Sequence, residues 1–291
     1  IDMTKIIIAG GSGLFGSCLV NFFKTKLKEV IILSRSSVAE KENIRWMYWD
    51  AKKTGEWVSV LEGADAVINL AGKNVNCRYT EKNKSLIYSS RLDSTHLLGE
   101  VISQCKVPPK VWINASSATI YRDSYDKRMT ELNGEIGDDF SMDVCKRWEA
   151  AFNQYPLGST RSVIIRTSIV LGKGGGALGP LKNLVKTGMG GKQGTGKQFC
   201  SWIHEEDFCR AMEWIIDQPT ARGIFNITAP APVENFRFMK SLRNAMNIPV
   251  GLFIPEWLLK IGASIIGTET ELVLKSRNVY PERLMKEGFT F

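Results

Sequence analysis

The sequence predicts an α/β fold, in which helices cover both faces of a doubly wound parallel sheet. Two observations support this prediction. Through the first half of the chain, short apolar runs rich in β-branched residues alternate with stretches whose apolar residues have helical spacing. The first apolar run continues as IIIAGGSGLFG at 6–16, which connects a strand to a helix through a glycine turn. A strand buried on both faces of a parallel sheet has a continuous apolar run of this kind.

The glycines of this turn follow the spacing G-x-x-G-x-x-G, at Gly10, Gly13 and Gly16. Gly10 permits a tight turn, Gly13 lets the backbone approach a pyrophosphate, and Gly16 lets the helix pack closely. The phosphates would bind free N–H groups at the helix N-terminus, where the helix dipole favours negative charge. A flexible loop is the alternative, but strand, glycine turn and helix together are typical of a Rossmann-type dinucleotide site. The predicted cofactor contacts here are Gly10, Ser12, Gly13, Leu14, Phe15 and Gly16.

The remaining elements continue the alternation of strand and helix. Strands are predicted at 6–8, 30–33, 43–49, 66–70, 111–115, 163–169 and 223–228. Helices are predicted after the glycine turn and at 86–102, 144–153, 206–216, 236–246 and 257–266.

A change of composition after the sixth strand indicates a second lobe. Glycine and lysine dominate 172–196, and the chain is more helical from Pro230 onward. The cleft between two lobes is the expected substrate site. The predicted division is a Rossmann-type NADP-binding domain over 1–171, to which 203–228 returns, and a smaller, discontinuous C-terminal substrate lobe over 172–202 and 229–291.

Composition and charge exclude several classes of protein. With 44% hydrophobic and 23% charged residues, the chain has a globular composition, and no apolar run is long enough to cross a bilayer. The net charge of +8 comes from basic residues spread along the chain, without the stripe typical of nucleic-acid binding, and fits an anionic small-molecule substrate. The six cysteines form no C-x-x-C pair, and with two histidines no metal site is expected. Reduced thiols without a visible signal peptide predict a cytoplasmic protein.

The residue that ends the second strand distinguishes NAD from NADP. A carboxylate there accepts a hydrogen bond from the ribose 2′-hydroxyl of NAD, whereas an arginine pairs with the 2′-phosphate of NADP. Here Ser34 and Arg35 end the strand, with Ser36 and Ser37 beside them and no carboxylate. We therefore predict NADP rather than NAD, held by Ser34 and Arg35. Alternatively, Arg35 is a solvated loop residue.

Several segments resemble the extended short-chain dehydrogenase/reductase family, which includes nucleotide-sugar epimerases and dehydratases. The matching segments are AGGSGLFG at 9–16, NLAG at 69–72, SSATIY at 116–121 and WIHEED at 202–207. The resemblance implies that Leu70, Ala71 and Gly72 line the cofactor. It also implies that Asp50 contacts the adenine and that Ser117 is the catalytic serine.

A narrower set of segments is similar to an atypical subgroup of that family, the epimerase family proteins with likeness to sugar nucleotide epimerases. These segments are SRLDST at 90–95, KRWEAA at 146–151, RTSIVLGKGGGALG at 166–179, FCSWIHEEDF at 199–208 and VYPERLMKEGFTF at 279–291. The resemblance spans nearly the whole chain. It implies NADP-dependent hydride transfer at a carbon that bears a hydroxyl or carbonyl, on a nucleotide sugar as a candidate substrate. By analogy it also implies a homodimer.

One departure from the family concerns its catalytic pair. The family uses a tyrosine and a lysine one turn apart on the helix after the fifth strand, a spacing that places both on one helix face. In the corresponding segment at 141–147, Lys146 fits the lysine, which contacts the nicotinamide ribose and assists catalysis, and Met142 replaces the tyrosine. A thioether has no proton to donate. In a register shifted by one residue, Arg147 would be the cation instead.

Three interpretations follow from the missing tyrosine. Another group could supply the proton, and the candidates are Tyr121, Tyr125, Asp143, Cys145 and His204. Of these, Tyr121 and His204 are our predicted substrate contacts, although a structural role is favoured for His204. A substrate could need little proton assistance, with Ser117 or water completing the transfer. Lastly, the protein could bind NADP without turnover, as a regulator or redox sensor. We expect an oxidoreductase or epimerase-like enzyme, with the non-catalytic NADP-binding protein as the alternative.

The glycine- and lysine-rich segment contains a near match to a phosphate-binding loop. GKQGTGKQ at 191–198 has Gln198 where such a loop needs a hydroxyl for Mg²⁺, and no buried strand precedes it, which argues against a P-loop kinase. We expect either a flap over an anionic substrate or a solvated loop. Asp207 is predicted to cap the helix at 206–216.

Overall fold

The architecture is a parallel sheet with helices on both faces and smaller sheets beside it. The computed structural model describes residues 3–36, 43–173, 175–267 and 269–291, and only the backbone of Ile265, Ile266 and Leu272. The strands are Lys5–Ala9 (β1), Glu29–Ser34 (β2), Ile44–Tyr48 (β3), Ala66–Asn69 (β4), Val111–Ser117 (β5), Arg161–Thr167 (β6), Ile169–Leu171 (β7), Phe199–Cys200 (β8), Trp202–His204 (β9), Gly223–Ile227 (β10) and Val233–Glu234 (β11).

The helices connect these strands and form much of the C-terminal part. They are Leu14–Phe23 (α1), Glu81–Gln104 (α2), Phe140–Asn153 (α3), Leu178–Lys186 (α4), Glu205–Asp217 (α5), Asn235–Ala245 (α6), Glu256–Ile266 (α7), Glu271–Leu274 (α8) and Glu282–Lys286 (α9). Short 3₁₀ turns lie at Glu56–Leu61 and Ala118–Ile120. Among the helices of the described residues, none is both long enough and apolar enough to cross a membrane.

The strand order of the main sheet confirms the predicted doubly wound fold. Its seven strands lie in the order β10-β6-β5-β4-β1-β2-β3, and every neighbouring pair is parallel. The chain therefore winds outward from β1 to β3, crosses back to β4 and winds outward in the other direction. In such sheets ligands bind outside the carboxyl ends of the strands, at the point between β1 and β4 where the winding reverses.

The central strands are apolar on both faces because each face lies under a layer of helices. Ile6 and Ile8 pack into the cluster that includes Phe208 of α5, whereas Ile7 packs on the opposite face with Trp112. All three isoleucines are fully buried. This two-sided burial explains the uninterrupted apolar run that starts the sequence.

The sixth predicted strand, 163–169, divides into two strands in the structure. β6 ends at Thr167, opposite Ile227, the last residue of its neighbour β10. The N–H of Ile169 donates to Ser201 O, and β7 pairs with β9 outside the main sheet. The chain leaves the main sheet where its partner strand ends, which local sequence does not reveal.

Helix boundaries differ from the predictions where polar residues form the first turn. α2 begins at Glu81, five residues before the predicted start, and Thr80 caps it by accepting the N–H of Asn83. His204, not Asp207, caps α5, because His204 Nδ1 accepts the N–H of Glu206. The cap prediction for Asp207 was therefore wrong.

The glycine- and lysine-rich segment is partly helical. α4 lies within it, and the helical spacing of Leu178, Leu181, Leu184 and the buried Val185 is a signal that our sequence analysis missed. Beyond α4 the backbone runs beside 251–254, with Gly191 N–H donating to Leu252 O and Ile254 N–H donating to Lys192 O. The division of the chain into two lobes stays a prediction, although β10 pairs with β6 as a strand of the main sheet.

A buried ion pair connects α3 to the sheet. Glu149 on α3 accepts two hydrogen bonds from Arg166 on β6, from Nε at 2.9 Å and from Nη2 at 2.8 Å, and both side chains are buried. Ser116 at the end of β5 donates to the same carboxylate at 2.6 Å. Arg166 also donates to the Tyr121 hydroxyl, which in turn donates to Asn226 Oδ1 on β10, each at 2.9 Å. These contacts set the position of α3 over the carboxyl ends of β5 and β6.

Removing the acidic partner should destabilise the fold strongly. In Glu149→Ala the Arg166 charge stays buried without its counter-ion, which typically costs about 3–5 kcal/mol. Equilibrium urea unfolding measures this loss. Asp138→Ala is the matched control, because Asp138 is 96% exposed in its ion pair with Lys146 and such pairs contribute about 0–1 kcal/mol. Equal losses in the two variants would show that the buried pair does not hold α3.

Candidate cofactor and catalytic site

The glycine turn after β1 approaches its neighbours too closely for side chains. Gly10 has a φ of +77°, and a Cβ added there would lie 2.8 Å from the Ala71 backbone. A Cβ at Gly16 would lie 2.3 Å from Gly11 Cα. At Gly13, by contrast, the nearest atom to an added Cβ is Gly10 O at 3.8 Å. The space in front of Gly13 is therefore open, whereas Gly10 and Gly16 are packed against backbone.

The N-terminus of α1 points free N–H groups into this open space. Gly13 is the N-cap and offers no side chain, and no acidic residue lies in the first turn. Ser12 and Gly13 are exposed, and the half-buried Leu14 and Phe15 begin the helix. Uncapped N–H groups at a helix N-terminus attract anions. The sequence-predicted residues 10–16 thus form one anion-binding turn.

The end of β2 presents a single cation. Ser34 is buried, and its Oγ accepts the N–H of Ser36 at 3.2 Å. Arg35 and Ser36 are exposed at the carboxyl end of the strand. The sequence has no acidic residue at 34–36. Ser37, which we placed beside the predicted 2′-phosphate, lies outside the described residues.

Asp50 lies directly after β3, at the same edge of the sheet. Its Oδ1 accepts the N–H groups of Lys52 and Lys53 at 2.9 Å and 3.0 Å. These two backbone donors lower the pKa of the Asp50 carboxyl below its usual value. The carboxylate stabilises the turn that follows the strand, and its contact with an adenine stays a prediction.

The segment after β4 is held by a buried amide. Asn69 Oδ1 accepts the N–H of Ala71 at 3.1 Å, and Asn69 Nδ2 donates to Asn114 Oδ1 on β5 at 2.7 Å. Leu70 N–H donates to Ala9 O, which keeps the segment beside β1. Leu70, Ala71 and Gly72 therefore lie next to the glycine turn, where the resemblance places them.

Ser117 ends β5 with its hydroxyl proton available. Its Oγ accepts hydrogen bonds from the N–H of Thr119 at 3.2 Å and from Thr119 Oγ1 at 2.9 Å. The side chain is partly exposed. Both protein contacts use Ser117 as an acceptor, so its own O–H remains free to donate. Thr119 Oγ1 in turn lies 3.7 Å from Cys145 Sγ on α3.

The face of α3 that contacts the end of β5 and the turn after it lies one residue from the predicted pair Met142 and Lys146. Ser141, Cys145 and Glu149 follow one another at four-residue spacing and share a face, and Glu149 and Cys145 contact side chains at the end of β5. Lys146 Nζ instead pairs with Asp138 at 3.0 Å. Met142, at 1% exposure, packs against Gly137. The role of Lys146 at the nicotinamide ribose stays a prediction, and the face of α3 toward β5, at 141, 145 and 149, has neither a phenol nor a cation.

Tyr121 and His204, the predicted substrate contacts, have protein partners. Tyr121 is 1% exposed, and its hydroxyl belongs to the Arg166 and Asn226 network. His204 caps α5 through Nδ1. Buried and bonded in this way, Tyr121 is a structural residue rather than an accessible proton donor. A substrate contact of His204 stays a prediction.

Two arginines at this end of the sheet escaped the sequence predictions. Arg91 on α2 lies against Gly72, with 3.0 Å between its Cζ and a Cβ added at Gly72. Arg277, after α8, donates from Nη1 to Tyr121 O at 3.2 Å. The signal that could have found Arg91 is the SRLDST segment, which we used only to support a family resemblance.

Comparison with known proteins agrees with this arrangement. Residues 6–228 match the family model described as the NAD dependent epimerase/dehydratase family, and residues 254–291 match a domain of unknown function, DUF1731. An epimerase family protein of Staphylococcus haemolyticus is 36% identical over 290 residues, which cover 99% of this chain and 95% of that protein. A counterpart in Staphylococcus aureus is 34% identical over the same length and the same shares.

Solved structures give the same assignment. A human epimerase family protein, crystallised with NADPH, superposes with a TM-score of 0.87 at 28% identity, covering 99% of this chain and 95% of that one. A nucleoside-diphosphate sugar epimerase from Corynebacterium glutamicum gives a TM-score of 0.78 at 30% identity, covering 99% of this chain and 55% of that one.

The glycine turn, the strand order and these matches confirm the resemblance drawn from the sequence motifs. The chain is an NAD(P)-binding protein and belongs to the NAD-dependent epimerase/dehydratase family, within the extended short-chain dehydrogenases/reductases.

Proposed function

We propose that this protein is an NADP-dependent oxidoreductase or epimerase-like enzyme. It transfers hydride at a carbon that bears a hydroxyl or carbonyl, and a nucleotide sugar is the candidate substrate. The observation that carries the proposal is the open, uncapped N-terminus of α1 at Gly13, at the reversal point of the sheet and on the same edge as Ser117. A homodimer in the cytoplasm stays our prediction for its state in the cell.

The residues at the sheet edge fit a dinucleotide. Gly13 has no side chain, so the space in front of it can hold a phosphate. The first N–H groups of α1 can donate to that phosphate. Leu70, Ala71 and Gly72 lie one strand away and would line the remainder of the cofactor. When bound, the nicotinamide supplies or accepts the hydride.

Arg35 supports NADP in preference to NAD. Its exposed guanidinium at the end of β2 can pair with a 2′-phosphate, and 34–36 has no carboxylate to accept a 2′-hydroxyl. The human relative crystallised with NADPH agrees with this preference.

Ser117 is the proposed hydrogen-bond donor to the reacting oxygen. Its Oγ is held by two donations from Thr119, so its O–H can point to a substrate oxygen and stabilise the negative charge that develops there during reduction. Proton transfer from Ser117, water or another group then completes the reaction. The family's tyrosine has no counterpart on the face of α3 that contacts β5.

One observation favours a second candidate function, NADP binding without turnover. Ser141 and Cys145 stand on the face of α3 toward β5, and burial raises the pKa of the Cys145 thiol, which disfavours its ionisation. Neither side chain replaces a tyrosine–lysine pair. Absence of turnover over a broad panel of sugar nucleotides and carbonyl compounds, with NADPH bound, would favour this regulatory role.

Two glycine variants separate the cofactor site from packing. Gly13→Ala should weaken NADPH binding at least about tenfold, because its methyl group enters the space for a phosphate, while the free energy of unfolding changes by less than about 1 kcal/mol. Gly16→Ala should reduce stability as well, because the new Cβ collides with Gly11. Nicotinamide fluorescence titration and urea unfolding measure the two effects. Normal NADPH affinity in Gly13→Ala would place the phosphate elsewhere.

Arg35 should control the choice of cofactor. Arg35→Ala should weaken NADPH binding about 10- to 100-fold, the loss expected for a charged hydrogen bond worth about 1.5–3 kcal/mol, and leave NADH binding unchanged. The same fluorescence titration tests it, with Lys24→Ala at the other end of α1 as the control for net charge. If both cofactors bind Arg35→Ala as they bind the parent protein, Arg35 is a solvated loop residue.

Ser117 should affect turnover but not cofactor affinity. Ser117→Ala should lower kcat about 10²- to 10⁴-fold on a substrate found by screening, since a group that donates to the reacting oxygen acts in the transition state. The Kd for NADPH should change less than about twofold, because the hydroxyl does not hold the phosphates. Ser103→Ala, on the far end of α2, is the control. Full activity in Ser117→Ala would remove Ser117 from the chemistry.

A further inference from the structure

Arg91 brings a cation to the carboxyl end of the sheet without a counter-ion. Its half-buried guanidinium lies beside Gly72 and stacks on Trp148, with 5.0 Å between Cζ and the ring centre. Nη1 donates to Lys73 O at 3.1 Å and to Ile87 O at 3.0 Å. Among the described residues, Nε and Nη2 have no protein acceptor. Three N–H groups of the planar guanidinium are therefore available to donate to a ligand.

Arg277 approaches the same place from the C-terminal segment. It is half-buried, and its Nη1 donates to Tyr121 O, four residues after the end of β5. Val279, two residues further on, packs with Tyr121 and Cys145 in one buried cluster. Within the described part of the chain, no carboxylate forms an ion pair with Arg277.

Both arginines interact electrostatically with Cys145, the α3 side chain whose Sγ lies 3.7 Å from Thr119 Oγ1. Trp148, which supports Arg91, lies one turn after Cys145 on α3. Burial lowers the pKa of both guanidinium groups, and the neighbouring anionic groups offset this effect only in part. The face of α3 toward β5 has no cation of its own, whereas Arg91 and Arg277 approach this region from outside α3.

The other buried arginines of the fold are compensated. Arg166 has the bidentate carboxylate of Glu149. Arg161 donates to three backbone carbonyl oxygens, of Ile215, Ile216 and Ala221. Burying an unpaired charge is costly, and among the described residues neither Arg91 nor Arg277 has a carboxylate partner of the kind that Glu149 gives Arg166.

The carboxylates that surround Arg277 already have other partners. Glu271 and Asp139 both pair with Lys275. Asp123 Oδ1 accepts a backbone N–H at 2.7 Å. None of these carboxylates pairs directly with Arg277 among the described residues, so its guanidinium can take an external anion.

We propose that Arg91 and Arg277 together bind an oxyanion group of the substrate, a carboxylate or a phosphate, beside Ser117. The inference rests on the proposed function, because it places the reacting carbon at Ser117. Guanidinium groups donate to carboxylate and phosphate oxygens in paired, parallel hydrogen bonds. The substrate class is an anionic hydroxy or carbonyl compound, anchored from α2 on one side and from the C-terminal segment on the other.

Titration of small anions into NADPH-saturated protein tests the proposal. The probes are oxalate, inorganic phosphate and UDP, measured by isothermal titration calorimetry at constant ionic strength. At least one should bind saturably with one molecule per chain. Arg91→Met and Arg277→Met should each raise its Kd at least about tenfold, the loss expected for a charge-assisted hydrogen bond. Oxalate binding indicates a carboxylate, phosphate binding a phosphoryl group, and tighter binding of UDP a nucleotide.

Arg237→Met is the matched control, because Arg237 lies on α6, is exposed and pairs with Glu234. It should leave the anion Kd within about twofold. If a methionine variant does not fold, as judged by circular dichroism, Arg91→Lys and Arg277→Lys keep the charge but not the fork, and should still weaken binding.

The outcomes distinguish this inference from the proposed function. If the parent protein does not bind NADPH, the proposed function is overturned. Normal NADPH binding without binding of any of the three anions, or anion affinity unchanged in both arginine variants, would overturn the inference alone.

Discussion

The ion pair between Glu149 and Arg166 decides which side chains of α3 face the end of β5. Its two hydrogen bonds and the donation from Ser116 hold α3 in one rotation above the sheet. In that rotation Cys145, one turn before Glu149, lies beside Thr119 and Ser117, and Lys146 points toward Asp138. A buried carboxylate with three donors cannot rotate away without leaving a charge unpaired, so the composition of the whole site follows from this contact.

The site therefore resembles that of a dehydrogenase, but the face of α3 toward β5 has no lysine. The cofactor side has what a dinucleotide requires: a glycine turn packed on backbone, an uncapped helix and a cation at the end of β2. The side of α3 toward β5 has a serine and a cysteine. In our proposal, Arg91 on α2 and Arg277 in the C-terminal segment supply the positive charge that this face of α3 lacks. Guanidinium groups remain protonated at any physiological pH, so they can bind anions and stabilise negative charge but cannot act as the proton donor that a tyrosine provides.

The C-terminal segment takes part in this site through Arg277 and through packing. Val279 shares a buried cluster with Cys145, and Asn226 joins the Tyr121 network to the backbone of Tyr280. The match of 254–291 to a domain of unknown function therefore concerns residues that contact the core of the nucleotide-binding fold. A change in this segment would reach Ser117 through a short path of packed side chains.

Patterns within one element were sufficient for much of the fold. The buried strands, the glycine turn and the residues 69–72 and 116–117 were all evident as short local motifs. Failures occurred where an element depends on a partner elsewhere. β7 leaves the main sheet because β10 ends, and His204 caps α5 in place of the more typical Asp207.

The sequence by itself determined the parallel sheet, the dinucleotide turn and the position of Arg35, because each depends on residues within a few positions of one another. Only the tertiary structure decided which face of α3 contacts the end of β5 and which groups Arg91 and Arg277 contact. The physical reason is that helix rotation is set by long-range contacts, here those of Glu149 with residues 33 and 17 positions away. A one-residue shift of register turns a helix by about 100°, which replaces every side chain at a site while leaving the local pattern of the helix unchanged.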